Sequence, residues 1–339
     1  MKVVCFGEIM LRLAPEGYQR FVQAERFEAV YGGGEANVAV SLANYGLDAA
    51  FVTKLPAHEL GQAAVNTLRR FGVNTEGITR GGERIGIYFC EKGAAQRPSK
   101  VVYDRAGSAF AKASIEDFDF DQLLDGVDWF HFTGITPALG QNIAQLTLKA
   151  LEVCRQKGIR VSCDLNYRKN LWTREEAKAT MTQLMPYVNV LIANEEDAAD
   201  VFGIHAAKTN LTAGELDHEA YREVAQKLMD QFHFEKVAIT LRTSISASRN
   251  LWSGMLYDGE DFHFAKQYDM QIVDRVGGGD SFGGGLIYAL SQNFDAHRAI
   301  NFAVAASCLK HSIEGDMNHV SVSEVERLMQ GDGSGRVQR

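Results

Sequence analysis

The stretch DRVGGGDSFGGGLIYAL, residues 274–290, places two glycine triplets around a single acid, Asp280, and then continues with the apolar spacing of a buried helix. Glycine inside a helix costs about 1 kcal/mol relative to alanine, so the triplet at 283–285 opposes an isolated helix. An extended run precedes the first triplet. A strand, a glycine loop and a helix start leave backbone N–H groups at the positive end of the helix dipole. The stretch therefore predicts a loop that binds an anion, such as phosphate, through its backbone.

The glycine spacing excludes two common nucleotide-binding loops. It lacks the lysine and hydroxyl of G-x-x-x-x-G-K-[ST], and it does not match G-x-G-x-x-G. Asp280 falls in the first turn of the predicted helix, where aspartate is favoured as a cap. Beside a bound phosphate, the same carboxylate can act as a general base that takes a hydroxyl proton during phosphoryl transfer. The two roles can coexist.

Apolar strand-like runs recur along the chain, with helical patterns between most of them. The runs are VVCFGEI (3–9), AAFVTKL (49–55), WFHFTG (129–134), RVSCDLN (160–166), VNVLIAN (188–194) and KVAITL (236–241). This alternation predicts an α/β fold with a parallel sheet covered on both faces. Ligands bind such sheets at the carboxyl ends of the strands, which directs attention to Glu8, residues 164–168, Asn194 and residues 240–242.

Two segments, about residues 11–31 and 84–106, interrupt the alternation with short extended patterns and no following helix. We interpret them as a small second sheet that forms a lid over the strand ends. Two edge hairpins without a moving part are the alternative. We expect one domain over residues 1–330. The polar, glycine-rich residues 331–339 are expected to form a flexible tail.

Composition limits the function classes further. The 339 residues are 46% hydrophobic and 23% charged, with a net charge of −8 and scattered basic residues, which argues against a nucleic-acid partner. The five cysteines are widely spaced and are expected to be reduced thiols. Glu8 and Arg12 interrupt the apolar N-terminus, and the charge-free run at 281–294 is shorter than the roughly 20 residues of a membrane span. We expect a cytoplasmic protein without a membrane partner.

Two motifs resemble a known family. DRVGGGD (274–280) matches the D-x-x-G-x-G-D signature of the ribokinase-like (PfkB-type) carbohydrate kinases, and YGGGEANVAVSLANYG (31–46) resembles their N-terminal sugar-binding signature. Two further landmarks follow in the family's order: Asp164, Asn166 and Arg168 as D-x-N-x-R, and Asn194 at the start of NEED. The resemblance spans about residues 2–325. It implies a three-layer α/β/α fold with a mostly parallel central sheet, a small β-sheet lid, and sugar phosphorylation that uses ATP and Mg²⁺.

The resemblance implies roles for the second signature. Asp280 would be the catalytic base, and the amides around Gly277, Gly278 and Gly279 would form the anion hole for the transferring phosphate. Asp274 looks like part of a monovalent-cation loop, in which its carboxylate and nearby carbonyls would hold potassium. A turn aspartate at a strand end is the alternative.

The resemblance also implies the nucleotide side of the site. Asn166 and Asn194 are expected to contact ATP, together with Gly277 and Gly279. The family's N-x-x-E has Asp197 in the glutamate place, so this shorter side chain would reach the magnesium network through water. The nucleotide loop, TLRTSISAS (240–248), lacks its usual glycine. Thr240 and Arg242 are expected to meet the ATP phosphates, and a solvated hydroxyl-rich loop is the alternative.

On the sugar side, Gly33, Gly34 and Asn37 occupy the places where the family binds substrate hydroxyls. Glycine lets the backbone approach a polyol, and the asparagine amide both donates and accepts hydrogen bonds. A tight turn before a helix is the alternative explanation of the glycines.

The lid run GIYFCEKGAAQRPSKVVYDRAGSA (86–109) resembles that of the 2-keto-3-deoxygluconate kinases. It implies that Tyr88, Tyr103 and Arg105 face an acid sugar, with Arg168 as a second guanidinium that grips the carboxylate. Arg105 in a surface ion pair is the alternative.

The resemblance thus implies ATP-dependent phosphorylation of 2-keto-3-deoxygluconate at its C6 hydroxyl. A kinase of a neutral sugar such as fructose or ribose and a non-catalytic sugar sensor are the alternatives. We also expect a homo-oligomer, because small sheets with exposed apolar strands often pair with a second copy.

Overall fold

The computed structural model describes residues 1–205, 218–331 and 333. Its strands are β1 (Lys2–Phe6), β2 (Met10–Pro15), β3 (Phe27–Gly32), β4 (Asp48–Leu55), β5 (Ile78–Arg80), β6 (Ile87–Glu91), β7 (Lys100–Asp104), β8 (Trp129–Thr133), β9 (Arg160–Asp164), β10 (Val190–Asn194), β11 (Lys236–Ser246), β12 (Arg249–Tyr257), β13 (Phe262–Phe264) and β14 (Tyr268–Gln271). All six predicted strand runs are observed as strands.

The α-helices lie between and after these strands. They are α1 (Gly34–Asn44), α2 (Glu59–Arg70), α3 (Phe120–Leu123), α4 (Gln141–Lys157), α5 (Arg174–Leu184), α6 (Glu195–Phe202), α7 (His218–Phe232), α8 (Gly278–Ser291), α9 (Ala296–Lys310) and α10 (Val322–Met329).

The larger sheet has the strand order β13-β12-β11-β10-β9-β8-β1-β4-β5, with β14 also paired to β12. The strands from β11 through β5 run parallel, whereas β12, β13 and β14 join by antiparallel pairing. Alternate residues of one strand enter opposite cores, as Val3 and Val4 of β1 show. Helices α3 to α7 cover one face, and α1, α2, α8, α9 and α10 cover the other. The predicted α/β class with a mostly parallel sheet in three layers is confirmed.

The smaller sheet has the order β3-β2-β6-β7, and its strands lie within the two segments that interrupt the helix alternation. It begins directly after the first strand of the main sheet, because residues 7–9 alone separate β1 from β2. This short connection holds the small sheet at the carboxyl end of β1. The small sheet therefore lies beside the edge where parallel sheets bind ligands.

One predicted loop is wrong. The run at 240–248 was expected to be a nucleotide loop, but β11 continues through Ser246 and pairs antiparallel with β12, for example at Arg242 and Trp252. The hydroxyl-rich and β-branched residues of this run fit a strand, and the pairing partner lies immediately after the turn. Thr240 and Arg242 are thus strand residues rather than loop residues.

Most of the predicted tail, residue 332 and residues 334–339, lies outside the described residues. Across the described part of the chain, no helix combines the length and the apolar character that crossing a membrane requires. The five cysteines are free thiols, and all except Cys308 are buried.

Candidate active site

A cavity of about 510 Å³ opens between the carboxyl ends of the central strands, the small sheet and the first turns of α1 and α8. The predicted residues that line it are Gly33, Gly34, Asn37, Tyr88, Tyr103, Arg105, Asn166, Arg168, Asn194, Asp197, Thr240, Arg242, Gly277, Gly279 and Asp280. Gly278 and Asp274 are not among its lining residues. The structure thus brings together residues that are up to 247 positions apart, between Gly33 and Asp280.

The start of α8 leaves backbone amides open to the cavity. Gly277 precedes the helix with a left-handed φ of 81° and offers no side chain to cap it. The hydrogen bond from the Ser281 N–H to the Gly277 carbonyl is 2.8 Å long, so the amides of Gly279 and Asp280 precede the first helical bond. A Cβ on Gly279 would meet no heavy atom within 4 Å. This helix start has the geometry of an anion site.

At positions 277 and 278, glycine is required for a different reason, because other residues pack closely against the backbone there. A Cβ on Gly277 would lie 1.8 Å from the Asp316 carbonyl oxygen, and one on Gly278 would lie 2.3 Å from the His311 ring. The Gly278 N–H donates to the Arg275 carbonyl at 3.3 Å. The expectation that the Gly278 amide belongs to the anion hole therefore does not fit this arrangement.

Asp280 connects the two glycine motifs. Its Oδ2 accepts a hydrogen bond of 2.7 Å from Nδ2 of Asn37, which lies in the first turn of α1. Burial raises the pKa of Asp280 to about 6, although the Asn37 hydrogen bond opposes the shift. A carboxylate with this pKa is mostly ionised at neutral pH and is basic enough to accept a proton from a hydroxyl group.

A second acidic region lies at the ends of β9 and β10. Asp197 accepts hydrogen bonds from the backbone N–H of Tyr167 at 3.1 Å and of Asn194 at 3.3 Å, and Asn194 Oδ1 accepts from the Asp197 N–H at 2.8 Å. Asn194 and Asp197 thus form the capping box of α6. Burial raises the pKa of Asp197 to about 6, and burial followed by the charge of Asp197 raises that of Asp164.

Asn166 lies between these acids in the sequence and has a left-handed φ of 40°, which asparagine tolerates better than most residues.

Within the described residues, no group of three or more His, Cys, Asp and Glu side chains is arranged to hold a metal ion. Magnesium commonly takes one or two protein carboxylates and completes its shell with phosphates and water. Asp164 and Asp197 fit that partial role.

The opposite end of the cavity carries a buried guanidinium. Arg105 is 8% exposed, and its Nε donates to Glu8 Oε2 at 2.9 Å while its Nη2 donates to the same oxygen. Ser108 Oγ donates to the other oxygen of Glu8. The predicted alternative, a surface ion pair, is wrong, because this pair is buried in the cavity wall. Arg168 is exposed and lines the same cavity.

Gly33 lets the chain pass close to this pair. A Cβ on Gly33 would lie 2.0 Å from the Glu8 carbonyl oxygen, and its φ of 178° is ordinary extended backbone. Gly33 is also the residue before α1, and its N–H donates to Asn37 Oδ1 at 3.4 Å. Gly33 therefore serves close packing at a helix start, whereas a Cβ on Gly34 would meet its nearest atom, Thr133 Cγ2, at an ordinary 3.4 Å.

The two predicted tyrosines differ in their surroundings. Tyr88 is buried, and its hydroxyl donates to Oδ2 of Asp316, a residue of the loop after α9. Tyr103 is 45% exposed, with its ring centroid 6.0 Å from that of Tyr88 and 5.8 Å from Cζ of Arg105. Both tyrosines line the cavity, and Tyr103 is the more exposed of the two.

The carboxylate of Asp274 is paired with a buried guanidinium. Its Oδ2 accepts from Nη2 of Arg12 at 2.7 Å and from the Gly315 N–H at 3.2 Å, and its Oδ1 accepts from the Val276 N–H at 3.1 Å. Arg12 also donates to Asp316 at 2.5 Å. Because a guanidinium already neutralises this carboxylate, the expected role of Asp274 as a potassium ligand does not fit.

Sequence reasoning missed the roles of two buried acids. Glu8 follows the first strand, a position that drew attention without an assigned role. Glu35, inside the first glycine motif, accepts hydrogen bonds from Thr133 Oγ1 at 2.8 Å and Thr136 Oγ1 at 2.7 Å, and burial raises its pKa. The sequence does offer one indication for Glu35, since this acid directly follows the glycines of a predicted helix start.

With this geometry established, known proteins provide a comparison. Residues 1–321 match the pfkB family of carbohydrate kinases. The chain belongs to this family. The family assignment agrees with the open amides of α8 and with Asp280 beside them.

Individual relatives cover nearly the whole chain. A 2-dehydro-3-deoxygalactonokinase of Haloferax volcanii is 33% identical, with 98% of each chain covered. A 2-dehydro-3-deoxygluconokinase of Thermoproteus tenax is 26% identical over 97% of this chain and 94% of its own. The crystal structure of 2-dehydro-3-deoxygluconokinase from Thermotoga maritima is 54% identical with a TM-score of 0.94, and the match covers 98% of this chain and 100% of that one. The ribokinase-like fold that the motifs implied is confirmed.

Proposed function

We propose that this carbohydrate kinase transfers the γ-phosphoryl group of ATP to the C6 hydroxyl of 2-keto-3-deoxygluconate, also called 2-dehydro-3-deoxygluconate. The observation that supports it best is the position of Asp280 in one cavity with the open amides of α8 and with two arginines, Arg105 and Arg168. The names of the relatives from Thermoproteus tenax and Thermotoga maritima support the same substrate.

The reaction follows from the groups around Asp280. Its carboxylate takes the proton of the C6 hydroxyl as the sugar oxygen bonds to the γ-phosphorus, and the bond from that phosphorus to the β-γ bridging oxygen breaks to release ADP. The amides of Gly279 and Asp280 stabilise the negative charge on the transferring phosphoryl group. The protein contributes mainly position and charge stabilisation.

ATP occupies the strand-end side of the cavity in this proposal. Asn166, Asn194, Thr240 and Arg242 line that side and supply amide, hydroxyl and guanidinium donors for phosphate oxygens. Magnesium neutralises phosphate charge when bound, and Asp164 and Asp197 would hold it. Potassium at Asp274 is not part of the proposal.

The sugar carboxylate contacts the guanidinium end of the cavity. Glu8 fixes the plane of Arg105 through Nε and Nη2, so the Nη1 edge is the part left to bind a substrate oxygen. Arg168 supplies a second positive charge at this mouth. Two planar guanidinium groups suit a carboxylate better than a neutral hydroxyl. Tyr103, Gly33, Gly34 and Asn37 complete this end of the site.

A coupled assay of ADP release with acid and neutral sugars tests the proposal. We expect turnover of 2-keto-3-deoxygluconate and little with fructose or ribose. Arg105→Ala should raise KM for the acid sugar by about 10- to 100-fold, the effect of a lost hydrogen bond to a charged group. Arg84→Ala is the matched control, since Arg84 forms an exposed ion pair with Asp104, the last residue of β7.

Each of the other possible outcomes of this assay would indicate a different function. Faster turnover of a neutral sugar would make this a fructokinase or ribokinase-like enzyme. Tight sugar binding without ADP release would indicate a sugar sensor. Comparable rates with the gluconate- and galactonate-derived sugars would extend the substrate class, as the name of the Haloferax volcanii relative suggests.

We also propose that the protein acts in the cytoplasm as a homo-oligomer. Strand β7 is an exposed edge of the small sheet, and Val102, which does not line the cavity, exposes 45% of its surface. An apolar edge strand of this kind is commonly covered by a second copy. Light scattering should give the mass of a dimer or a larger even assembly, and a monomer at micromolar concentration would contradict this part.

A further inference from the structure

Lys310, at the end of α9, is a fully buried lysine whose ammonium group contacts main-chain oxygens. It has 0% exposure, and its Nζ donates to the carbonyls of Asp274 at 3.2 Å and Ile313 at 3.4 Å. An ammonium group taken out of water is costly unless nearby charges and dipoles compensate it. The position of Lys310 therefore needs an explanation.

The compensation comes from a four-charge cluster of Arg12, Asp274, Lys310 and Asp316, all of which are buried. Arg12 bridges the two aspartates at 2.7 and 2.5 Å. With two cations and two anions the cluster is neutral. Burial lowers the pKa of Lys310, and the charges of Asp274 and Asp316 raise it. Without the lysine charge, the cluster would hold one excess negative charge next to two carbonyl oxygens.

This cluster lies directly under the anion loop. Asp274 begins the loop and accepts a hydrogen bond from its Val276 N–H. The Asp316 carbonyl lies against Gly277, where a Cβ would be only 1.8 Å away. Any movement of Asp274 or Asp316 would therefore move the backbone that leads to the open amides of Gly279 and Asp280. The cluster therefore supports the backbone of the loop from below.

Carbonyl oxygens next to an excess carboxylate are the ligands that hard metal cations prefer. In this chain Lys310 Nζ contacts those carbonyls, and Arg12 neutralises the carboxylate of Asp274. We propose that the Lys310 ammonium is a built-in replacement for a monovalent metal cation under the anion loop, so that the enzyme is active without potassium. Lys310 is thus a positioning residue, since it acts on the phosphate through the loop.

The first test uses the unmodified protein. Replacing potassium by sodium or by tetramethylammonium at constant ionic strength should change kcat/KM by less than about twofold, because the cation site is already filled. Strong activation by potassium would overturn the proposal. This measurement rests on the proposed kinase function, whereas the melting temperature in the same three salts does not, so the two proposals can fail separately.

The second test uses Lys310→Met, which removes the charge and keeps an unbranched side chain. In tetramethylammonium buffer kcat/KM should fall about 10- to 100-fold, less than the roughly 100- to 1,000-fold loss that follows removal of an oxyanion-hole donor, because the amides are displaced rather than removed. Potassium or ammonium ions should restore most of the activity. The melting temperature of the variant should rise with added potassium, since a bound ion stabilises the folded state. The unmodified protein should show neither response.

Lys54→Met is the matched control. Lys54 pairs with Asp117 at 2.7 Å in the main sheet and is also partly buried, but it contacts no part of the anion loop. Its loss should produce no potassium response in activity or in melting. A Lys310→Met protein that is folded yet insensitive to potassium and ammonium would contradict the proposal. So would one that fails to fold even in potassium buffer.

Discussion

Asp280 lies in the first turn of α8, beside α1 and the cavity, and these surroundings determine its pKa. Burial disfavours the charged carboxylate and raises its pKa to about 6, while the Asn37 hydrogen bond limits the rise. A base with a pKa just below neutral is ionised in the cell and still accepts a proton readily. The same burial makes the charge a cost to folding.

The variant Asp280→Asn should affect activity and stability in opposite directions. We expect kcat to fall by about 10²- to 10⁴-fold, the usual contribution of a general base. The free energy of unfolding at pH 8 should rise by about 1–3 kcal/mol, because the folded state no longer holds a charge that it disfavours by roughly two pKa units. Kinetics and chemical denaturation measure the two effects.

The sign of the stability effect fixes its pH dependence. The pKa of Asp280 is higher in the folded than in the unfolded chain, so the cost is present above pH 6 and disappears as pH falls below the unfolded value. The advantage of the variant should therefore shrink between pH 6 and about pH 4. Asp295→Asn, at the exposed start of α9, is the control and should change neither activity nor stability much.

The activity of the unmodified protein should also report this pKa. We expect kcat/KM to be level above pH 7 and to fall as pH decreases through about 6, where Asp280 becomes protonated. ATP and Asp197 also titrate in this pH range, so the variant Asn37→Ala is needed to assign the titration to Asp280. Removing its hydrogen bond should move the acidic limb to higher pH, and an unmoved limb would assign the titration to another group.

The single residues that sequence patterns identified well are those whose role is local. Asp280 and the glycines at 277 and 279 lie in one short motif, so their placement at a helix start could be predicted. Asp274 belongs to the same motif, but its partner Arg12 lies 262 positions away in the chain and also pairs with Asp316. No local pattern shows that a distant guanidinium occupies a carboxylate, and the potassium prediction failed to fit for that reason.

At the scale of elements, α8 shows why glycine persists inside a helix. A Cβ on Gly284 would lie 2.7 Å from Ser41 Cβ of α1, and one on Gly285 would lie 3.0 Å from Ala303 Cα of α9. On Gly283 the nearest atom would be at 3.5 Å, an ordinary contact. Two glycines of the triplet therefore let α8 pack closely between its neighbours, and the third does not serve that purpose.

This difference gives a matched pair of variants. Gly284→Ala should lower the free energy of unfolding by about 1–3 kcal/mol, because α1 and α8 would have to separate. Gly283→Ala should be neutral or should stabilise by up to about 1 kcal/mol through its better helix propensity. Chemical denaturation of both proteins decides. Equal effects would show that helix–helix distance is not what the second triplet controls.

Strand β11 shows the limit of motif reasoning for elements. The family pattern implied a loop at 240–248, yet these residues form a strand because a hairpin partner, β12, follows immediately. Strand pairing is settled by contacts along both strands, and its outcome depends on the partner as much as on the run itself. The six central parallel strands were predictable, since each is a short apolar run buried on both faces, whereas the short, partly exposed edge strand β5 was not predicted.

At the scale of the whole molecule, the small sheet contributes to both ends of the site. Arg105 follows β7 and lies at the proposed sugar end, whereas Arg12 of β2 and Tyr88 of β6 contact the acids beside the anion loop. The two segments of this sheet could be predicted from the interruption of the βα alternation. Their contacts with Asp274 and Asp316 could not, because they join the two ends of the chain.

In the proposed reaction, the γ-phosphoryl group is transferred to the C6 hydroxyl of an acid sugar. The most direct measurement is phosphorus–proton correlation NMR of the product formed from ATP, Mg²⁺ and 2-keto-3-deoxygluconate. We expect one new phosphomonoester whose phosphorus couples to the two C6 protons. Coupling to a single proton at C4 or C5, or the absence of any new phosphoester, would contradict it.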